Sequence, residues 1–449
     1  PAPPSQPTPP PPGMAWRAQP QPPPPAAPEP ADWSHLPADQ RLERELELLL
    51  AARAPPPEDE RNRRATVDAV SEIAHRLWRG ARVRMFGSSA SGLHTRGADL
   101  DLCLMPPHPP QINAARRMIT VLGEALKSAG MLDVLPLPSA RVPIVKFTDS
   151  HSKIQCDICV NNHLALANTA LLAAYAAVDP RVRPLICAVK YWAARRKVNE
   201  PYRGTLSSYA YVLMVIGYLQ TTEPPVLPCL QQLARPDGAE QVVDGYDVWF
   251  NDDARALGEH FSRGRNGASL SQLLAGFFKR YSTDFKPGEQ TVCPRLGCTL
   301  GLGEKVWGES QTANARKGRK ADRHLFCIED PFEVTHDLGR VMDSSTLKWV
   351  TEELARAHAL LQRGASLSEL CAEWTAAEEE QRRPDPPPDD GADANPAGGE
   401  AAAEAVQVAA AEELAVAALS AGLAAAALDE GECELEPDES AVQLPSGLF

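Results

Sequence analysis

Apolar residues recur at helical spacing through Leu42, Leu46, Leu49 and Leu50, which predicts a helix over residues 38–53 that Pro55-Pro56-Pro57 stops. Val67, Val70, Ile73 and Leu77 share one face and predict a second helix over 59–79. The period then drops to two. Residues 83–86 read as a short strand running into Gly87-Ser88-Ser89, and residues 99–105 (Asp-Leu-Asp-Leu-Cys-Leu-Met) alternate as a strand does. A helix over 112–129 and strands over 141–148 and 153–160 complete a small α/β unit. After residue 162 the pattern turns helical, over 164–178, 183–198, 206–220, 269–281 and 344–362, with a further short helix over 366–380. The fold class is α+β, a unit with a small sheet followed by a mainly helical lobe.

Composition separates the two ends from this body. Fifteen of the 43 Pro fall in residues 1–30, so residues 1–37 read as a Pro-rich disordered arm, extended and solvated. Residues 376–449 carry eighteen Asp and Glu against two Arg and read as an acidic, Ala-rich low-complexity tail. Sequence does not decide whether its segment 401–428 is a marginal helix or disorder. The formal charge of −14 therefore belongs to the tail, and the remainder, at +2, is compatible with a polyanionic partner. No run of eighteen apolar residues occurs, so no membrane span is expected. Ten Cys without a dense framework read as reduced intracellular thiols. A small disulfide scaffold, a collagen-like chain and a histone-like basic protein are excluded.

The strongest chemical signal is Gly87-Ser88-Ser89-x-x-Gly92 followed by Asp99-x-Asp101. Two Asp at i and i+2 on a strand share a face, repel each other, and are relieved by a hard divalent cation such as Mg²⁺. A Gly-Ser turn between a strand and a helix offers N–H groups and hydroxyls to phosphate. Asp157, at the centre of a strand of buried type, is a third carboxylate that needs a reason. Each signal is common alone, since Asp-x-Asp usually marks a solvated strand face. Together they describe a nucleotidyl-transfer site in which three carboxylates hold two metal ions.

These motifs, together with Cys156-Asp157-Ile-Cys-Val-Asn-Asn162, Leu164-Ala-Leu-Ala-Asn168-Thr169, Val189-Lys190-Tyr-Trp192-Ala, Gly204-Thr-Leu-Ser-Ser208-Tyr209-Ala-Tyr, Val243-Asp-Gly-Tyr-Asp247-Val and Ile328-Glu-Asp330-Pro-Phe-Glu-Val-Thr-His336-Asp-Leu-Gly-Arg340, resemble the RNA-specific nucleotidyltransferases of the polymerase-β superfamily. Within these the resemblance is to the terminal uridylyltransferases of plants and fission yeast, over roughly residues 39–375. It implies a polymerase-β-type catalytic lobe with a small mixed sheet over 59–162. It also implies a helical nucleotide-recognition lobe, of the poly(A) polymerase-associated kind, from 39–58 and 163–375. By resemblance Asp99, Asp101 and Asp157 ligate Mg²⁺ (or Mn²⁺), and Asp157 helps deprotonate an RNA 3′-hydroxyl. Gly87, Ser88, Lys190 and Ser208 hold phosphates, and Asn162, Asn168 and Thr169 contact ribose and base. Tyr209 stacks on the base, Asp330 reads its edge, and His336 separates uridylyl from adenylyl transfer, which favours UTP. Read singly, Tyr209 would be core, Lys190 a snorkelling lysine and Asn162 a helix cap.

The resemblance also exposes a departure. A second phosphate-binding lysine is expected one turn after Lys190, where this chain has Ala194; Lys197 returns to the same helical face one turn later. Cys156 and Cys159 at i and i+3 on a strand face opposite sides, which argues against zinc. Arg316, Lys317, Arg319, Lys320 and Arg323 form a basic run suited to weak RNA contact. The resulting expectation is a monomeric cytoplasmic enzyme that adds uridine from UTP to single-stranded RNA 3′ ends and marks RNA for decay. Protein partners would bind through the Pro-rich arm. The rival readings are a poly(A) polymerase, a catalytically dead scaffold and a nucleotidyltransferase with a small-molecule acceptor.

Overall fold

The computed structural model describes residues 33–375 and 378, apart from residues 34, 141, 237, 254–256, 259–265, 306 and 308–323. Most of the Pro-rich arm, nearly all of the acidic tail and the basic run with Lys317, Arg319, Lys320 and Arg323 lie outside the described residues. Helix α1 (Ala38–Arg53) places Asp39 in its first turn and Arg53 in its last, as the helix dipole favours, and buries Leu42, Leu46 and Leu49. Helix α2 (Asp59–Leu77) buries Val70 and Ile73.

Strands β1 (Arg82–Phe86), β2 (Leu100–Met105), β3 (Leu132–Leu137), β4 (Ile144–Thr148) and β5 (Gln155–Val160) form one sheet in the order β1-β2-β5-β4-β3. Only β2 and β5 are parallel; the other pairs are antiparallel, so the sheet is mixed. A single turn, α3 (Gly87–Ala90), follows β1, and α4 (Ile112–Ser128) leads to β3. Helices α2 and α4 supply Val70, Ile73, Ile119, Leu122 and Leu126 to a core with Leu100, Leu102, Leu104, Phe147 and Ile158. Because strand side chains alternate, Asp101 and Asp157 stand on the opposite face. The edge strand β3 does not announce itself in the sequence. None of its residues is buried and it contains Pro136, which an edge tolerates.

The second core is built by α1 with α5 (His163–Val178), α6 (Val182–Arg195), α7 (Ser208–Gln220), α8 (Leu270–Lys279), α9 (Ser344–Gln362) and α10 (Leu367–Leu370). Its centre is Trp192, fully buried and edge-on to Tyr211 at 6.1 Å and Phe278 at 4.8 Å between centroids. Two departures from the periodicity occur here. The helix expected over 366–380 stops at Leu370. The lobe also holds a sheet, β10-β8-β9 (Cys327–Ile328, Gln290–Cys293, Cys298–Gly301), and a hairpin of β6 (Val242–Val243) and β7 (Tyr246–Asp247). Strands of two to four residues are too short to show alternation.

Just past α6, Arg196 is locked to α9. Its Nε and Nη2 donate to the two carboxylate oxygens of Glu353 at 2.8 and 3.1 Å, both residues are buried, and the guanidinium lies 5.0 Å from the Trp374 ring centroid. Glu353 also pairs with Arg356, and without Glu353 the Arg196 guanidinium keeps only the half-exposed Glu378 as an acidic partner among the described residues. Glu353→Ala is therefore expected to cost about 3 kcal/mol, read as a lowered midpoint of urea unfolding, and Glu353→Gln, which keeps one acceptor, to cost less.

Candidate active site

The register of the central strands sets the carboxylates side by side. Asp101 on β2 is paired with Asp157 on β5, and Phe86 and Lys146 flank them on β1 and β4. Asp99 sits one residue before β2 and, at i−2, belongs to the Asp101 face. Lys146 Nζ donates to Asp157 Oδ2 at 2.8 Å. Gly87 has a φ of +68°, and a Cβ there would overlap the Asp101 carboxylate, so only glycine fits this position. Burial, then the charges of Asp157 and Asp99, push the Asp101 carboxyl up to about 6, with Lys146 and Lys190 opposing the rise. The repulsion that Asp157 and Asp99 exert on Asp101 is what a divalent cation held by these carboxylates would relieve.

Sequence reading missed the residue that holds this loop. Arg63 on α2 is buried and donates to the carbonyls of Ala98 (2.5 Å) and Asp99 (3.1 Å), to Ser89 Oγ (2.9 Å) and to Asp59 (2.6 Å). One guanidinium thus ties α3 to the entry of β2. The available signal was a charged residue on the apolar stripe of an amphipathic helix, since Arg63 shares the face of Thr66, Val70 and Ile73. Ser89 also donates to the Asp99 carbonyl at 3.2 Å, which leaves Ser88 as the hydroxyl of the turn not bound into this clamp.

Helix α5 starts at the end of β5. Asn162 caps it, accepting from Ala165 N–H at 3.1 Å, so the capping reading of this residue is realised. Thr169 Oγ1 accepts the Gly87 N–H at 2.9 Å, so that amide is already bonded within the protein. Asn168 Nδ2 donates to Asp330 Oδ2 at 3.4 Å, while Asn168 Oδ1 is buried with no partner. Tyr209 Oη donates to the same Asp330 oxygen at 3.0 Å, and burial and that carboxylate push the phenol well above its ordinary value. Asp330 Oδ1 accepts the N–H groups of Phe332 and Glu333, and the Asp330 N–H donates to the His336 carbonyl at 3.1 Å. Buried and with both oxygens engaged, Asp330 is built to position Tyr209 and Asn168 more than to read a base edge. His336 is half-buried on this same loop.

Lys190 on α6 is half-buried, and burial pulls its ammonium down while Asp101 holds it up. Ser208 opens α7 and accepts from Asn199 Nδ2 at 2.8 Å. Lys197 does not continue the Lys190 face. Helix α6 ends at Arg195, Lys197 takes a left-handed φ of 57°, and its ammonium pairs with Glu200 at 3.9 Å. Helical phase cannot be extrapolated beyond a helix end.

Residues 42–177 match the family described as the central palm domain of poly(A) RNA polymerase, mitochondrial-like, and residues 269–336 match the Cid1 family poly A polymerase. The chain is 38% identical over 310 residues to the terminal uridylyltransferase cid1 of Schizosaccharomyces pombe, covering 67% of this chain and 74% of that protein. It is 33% identical to the poly(A) RNA polymerase cid13 of the same organism, covering 66% of this chain but 49% of the relative. The solved structure of Cid1 in complex with the UTP analog UMPNPP superposes with a TM-score of 0.62 at 34% identity, over 72% of this chain and 94% of that one. The sequence-expected fold, a polymerase-β-type lobe joined to a helical lobe, is the fold these chains share.

The raised Asp101 carboxyl generates a prediction with a definite sign. Its folded value of about 6 lies above the 3.8 of an unperturbed Asp, so the folded chain holds this proton more tightly than the unfolded one. Its contribution to stability is complete below about pH 4 and is lost as the pH rises to about 6. Asp101→Asn is expected to unfold at higher temperature than the parent at pH 7.5, by a margin on the order of 1 kcal/mol or more that vanishes at pH 4. Added Mg²⁺ should raise the melting temperature of the parent and not of the variant, as scanning calorimetry at the two pH values reads directly.

Proposed function

Since the chain belongs to the Cid1 family of template-independent RNA nucleotidyltransferases, we propose that it is a uridylyltransferase that adds uridine from UTP to RNA 3′ ends. One observation carries the choice of nucleotide: His336, Asp330, Tyr209 and Asn168 form a single hydrogen-bonded unit. An aromatic face binds any base and gives affinity. Choice needs an edge contact, and the half-buried imidazole of His336 on the loop fixed to Asp330 supplies one for uracil. The unpartnered Asn168 Oδ1 is the acceptor in this unit that a nucleotide would satisfy.

In this reading residues 59–162 are the catalytic lobe and residues 39–58 and 163–375 the nucleotide-recognition lobe. Asp99, Asp101 and Asp157 would hold Mg²⁺ or Mn²⁺, which supplies neutralisation of the triphosphate and of the oxyanions at the reacting phosphorus when bound. The protein's own groups do the positioning. Ser88, Lys190 and Ser208 would orient phosphate oxygens, and Asn162 and Thr169 the ribose. Asp157, held by Lys146 at 2.8 Å, would accept the proton of the RNA 3′-hydroxyl. Arg63 keeps Asp99 and the α3 turn at a fixed separation, which is where most of a phosphoryl-transfer rate enhancement originates.

The deciding experiment offers each of the four NTPs separately to a short single-stranded RNA with Mg²⁺, beside an Asp99→Ala, Asp101→Ala protein. The expected outcome is preferential incorporation of UTP and a silent double variant. His336→Ala should narrow the ratio of UTP to ATP use by about tenfold, the scale of one lost base contact. Equal use of ATP by the parent would overturn the uridylyl assignment and leave the enzyme class in place.

A further inference from the structure

Arg53, the last residue of α1, is a half-buried cation with no carboxylate at ion-pair distance among the described residues. Its guanidinium lies 5.1 Å from the centroid of the Tyr191 ring, and its Nη2 contacts Thr95 Oγ1 at 3.4 Å. Its carbonyl accepts the Arg96 N–H at 2.8 Å, and the Ala54 carbonyl accepts Arg96 Nε at 3.3 Å. The end of α1 is therefore stitched to the loop that follows α3. Tyr191 is the neighbour of Lys190, and the Arg53 charge is close enough to depress the Lys190 ammonium. Burial also lowers both cations. Both cations are thus partly desolvated, and a polyanion that reached both would offset that cost.

The surroundings point to one anion. Lys190 feels the charge of Asp101, whereas Arg53 lies over Tyr191 and reaches Thr95 in the loop that follows α3. The next turn of α6 after Lys190 carries Ala194. The three cations that follow are engaged elsewhere, Arg195 with the Cys371 carbonyl and Glu373, Arg196 with Glu353, and Lys197 with Glu200. We propose that Arg53 is the second phosphate-binding cation of the site, gripping the terminal phosphate of the incoming nucleoside triphosphate while Lys190 holds the phosphate nearer the carboxylates. The guanidinium fork suits a terminal phosphate, which presents three oxygens to a bidentate donor. Its seat over Tyr191 fixes the plane of that fork.

This inference rests on the nucleotide site proposed above, and the test separates the two. Binding of UTP, UDP and UMP is measured by calorimetry in the presence of Mg²⁺ for the parent, Arg53→Gln and Arg53→Lys. Arg53→Gln should weaken UTP by about tenfold to a hundredfold, the range for a lost charge-assisted hydrogen bond, and leave UMP within about twofold. Arg53→Lys should fall between, since it keeps the charge and loses the fork. Adding Ala194→Lys to Arg53→Gln should restore part of the UTP affinity. Equal weakening of UTP and UMP would make Arg53 a structural residue, and unchanged UTP binding would remove it from the site; either result overturns the proposal. If the parent binds no nucleotide and incorporates none, the functional reading itself fails, independently of Arg53.

Discussion

Asp101 and Asp157 stand side by side because β2 and β5 are parallel neighbours in one register, and that enforced repulsion is what the surrounding structure must hold in place. The other face of the same strands does the holding. Leu100, Leu102, Leu104 and Ile158 are fully buried against α2 and α4, so a slip of one residue would turn the apolar face outward and the carboxylates into the core. Around the pair, every adjustment answers the same charge. Lys146 neutralises one Asp157 oxygen from β4, and Gly87 gives up its side chain so that β1 can approach Asp101. Arg63 directs its donors to backbone carbonyls, Ser89 and Asp59, which fixes the loop without cancelling the carboxylates of the site.

Helix α5 joins this charged sheet to the helical core through two consecutive residues. Side chains at i and i+1 diverge by about 100° on a helix, so neighbours in sequence face different partners. Thr169 bonds the Gly87 N–H of the turn beside the carboxylates, and Asn168 bonds Asp330 on the loop that carries His336. The spacing between the phosphate end and the base end of the proposed site is thereby set within one helical turn. Asn162 does the same for the start of α5. Its cap fixes the helix close behind Val160, the last residue of the strand that bears Asp157.

What the sequence made legible follows from which signals are local. Amphipathic helices such as α1, α2 and α4 and the alternating strand β2 bury one face, so their periodicity is written in Leu42, Leu46 and Leu49 or in Leu100, Leu102 and Leu104. Strand β3 buries nothing and β6, β7 and β10 span two residues each, so their pairing partners, not their own patterns, create them. The three Asp were legible because the Gly-Ser turn, Asp99-x-Asp101 and the strand-centred Asp157 occur together, each being common alone. Arg63 left a signal only in its place on the apolar stripe of α2, and Arg53 left none, because a basic residue at a helix end reads as surface until its neighbours are known. Lys197 failed for a related reason: its place depended on where α6 stops, and the helix ends at Arg195, two residues before the left-handed Lys197.

Base affinity and base choice are mechanically linked in the proposed site, although different groups supply them. Tyr209 is anchored through its hydroxyl to Asp330, and a platform fixed at its far end holds a base without distinguishing it. Asp330 has no oxygen left for that distinction, since Tyr209, Asn168 and two backbone N–H groups use both. Its own N–H, however, holds the His336 carbonyl. The Asp330 backbone therefore holds the backbone of the loop that carries the imidazole, and under the proposed assignment a disturbance at Asp330 would loosen affinity and discrimination together. Under the same assignment a disturbance confined to the His336 side chain would leave the platform in place, so the two functions would separate at that residue.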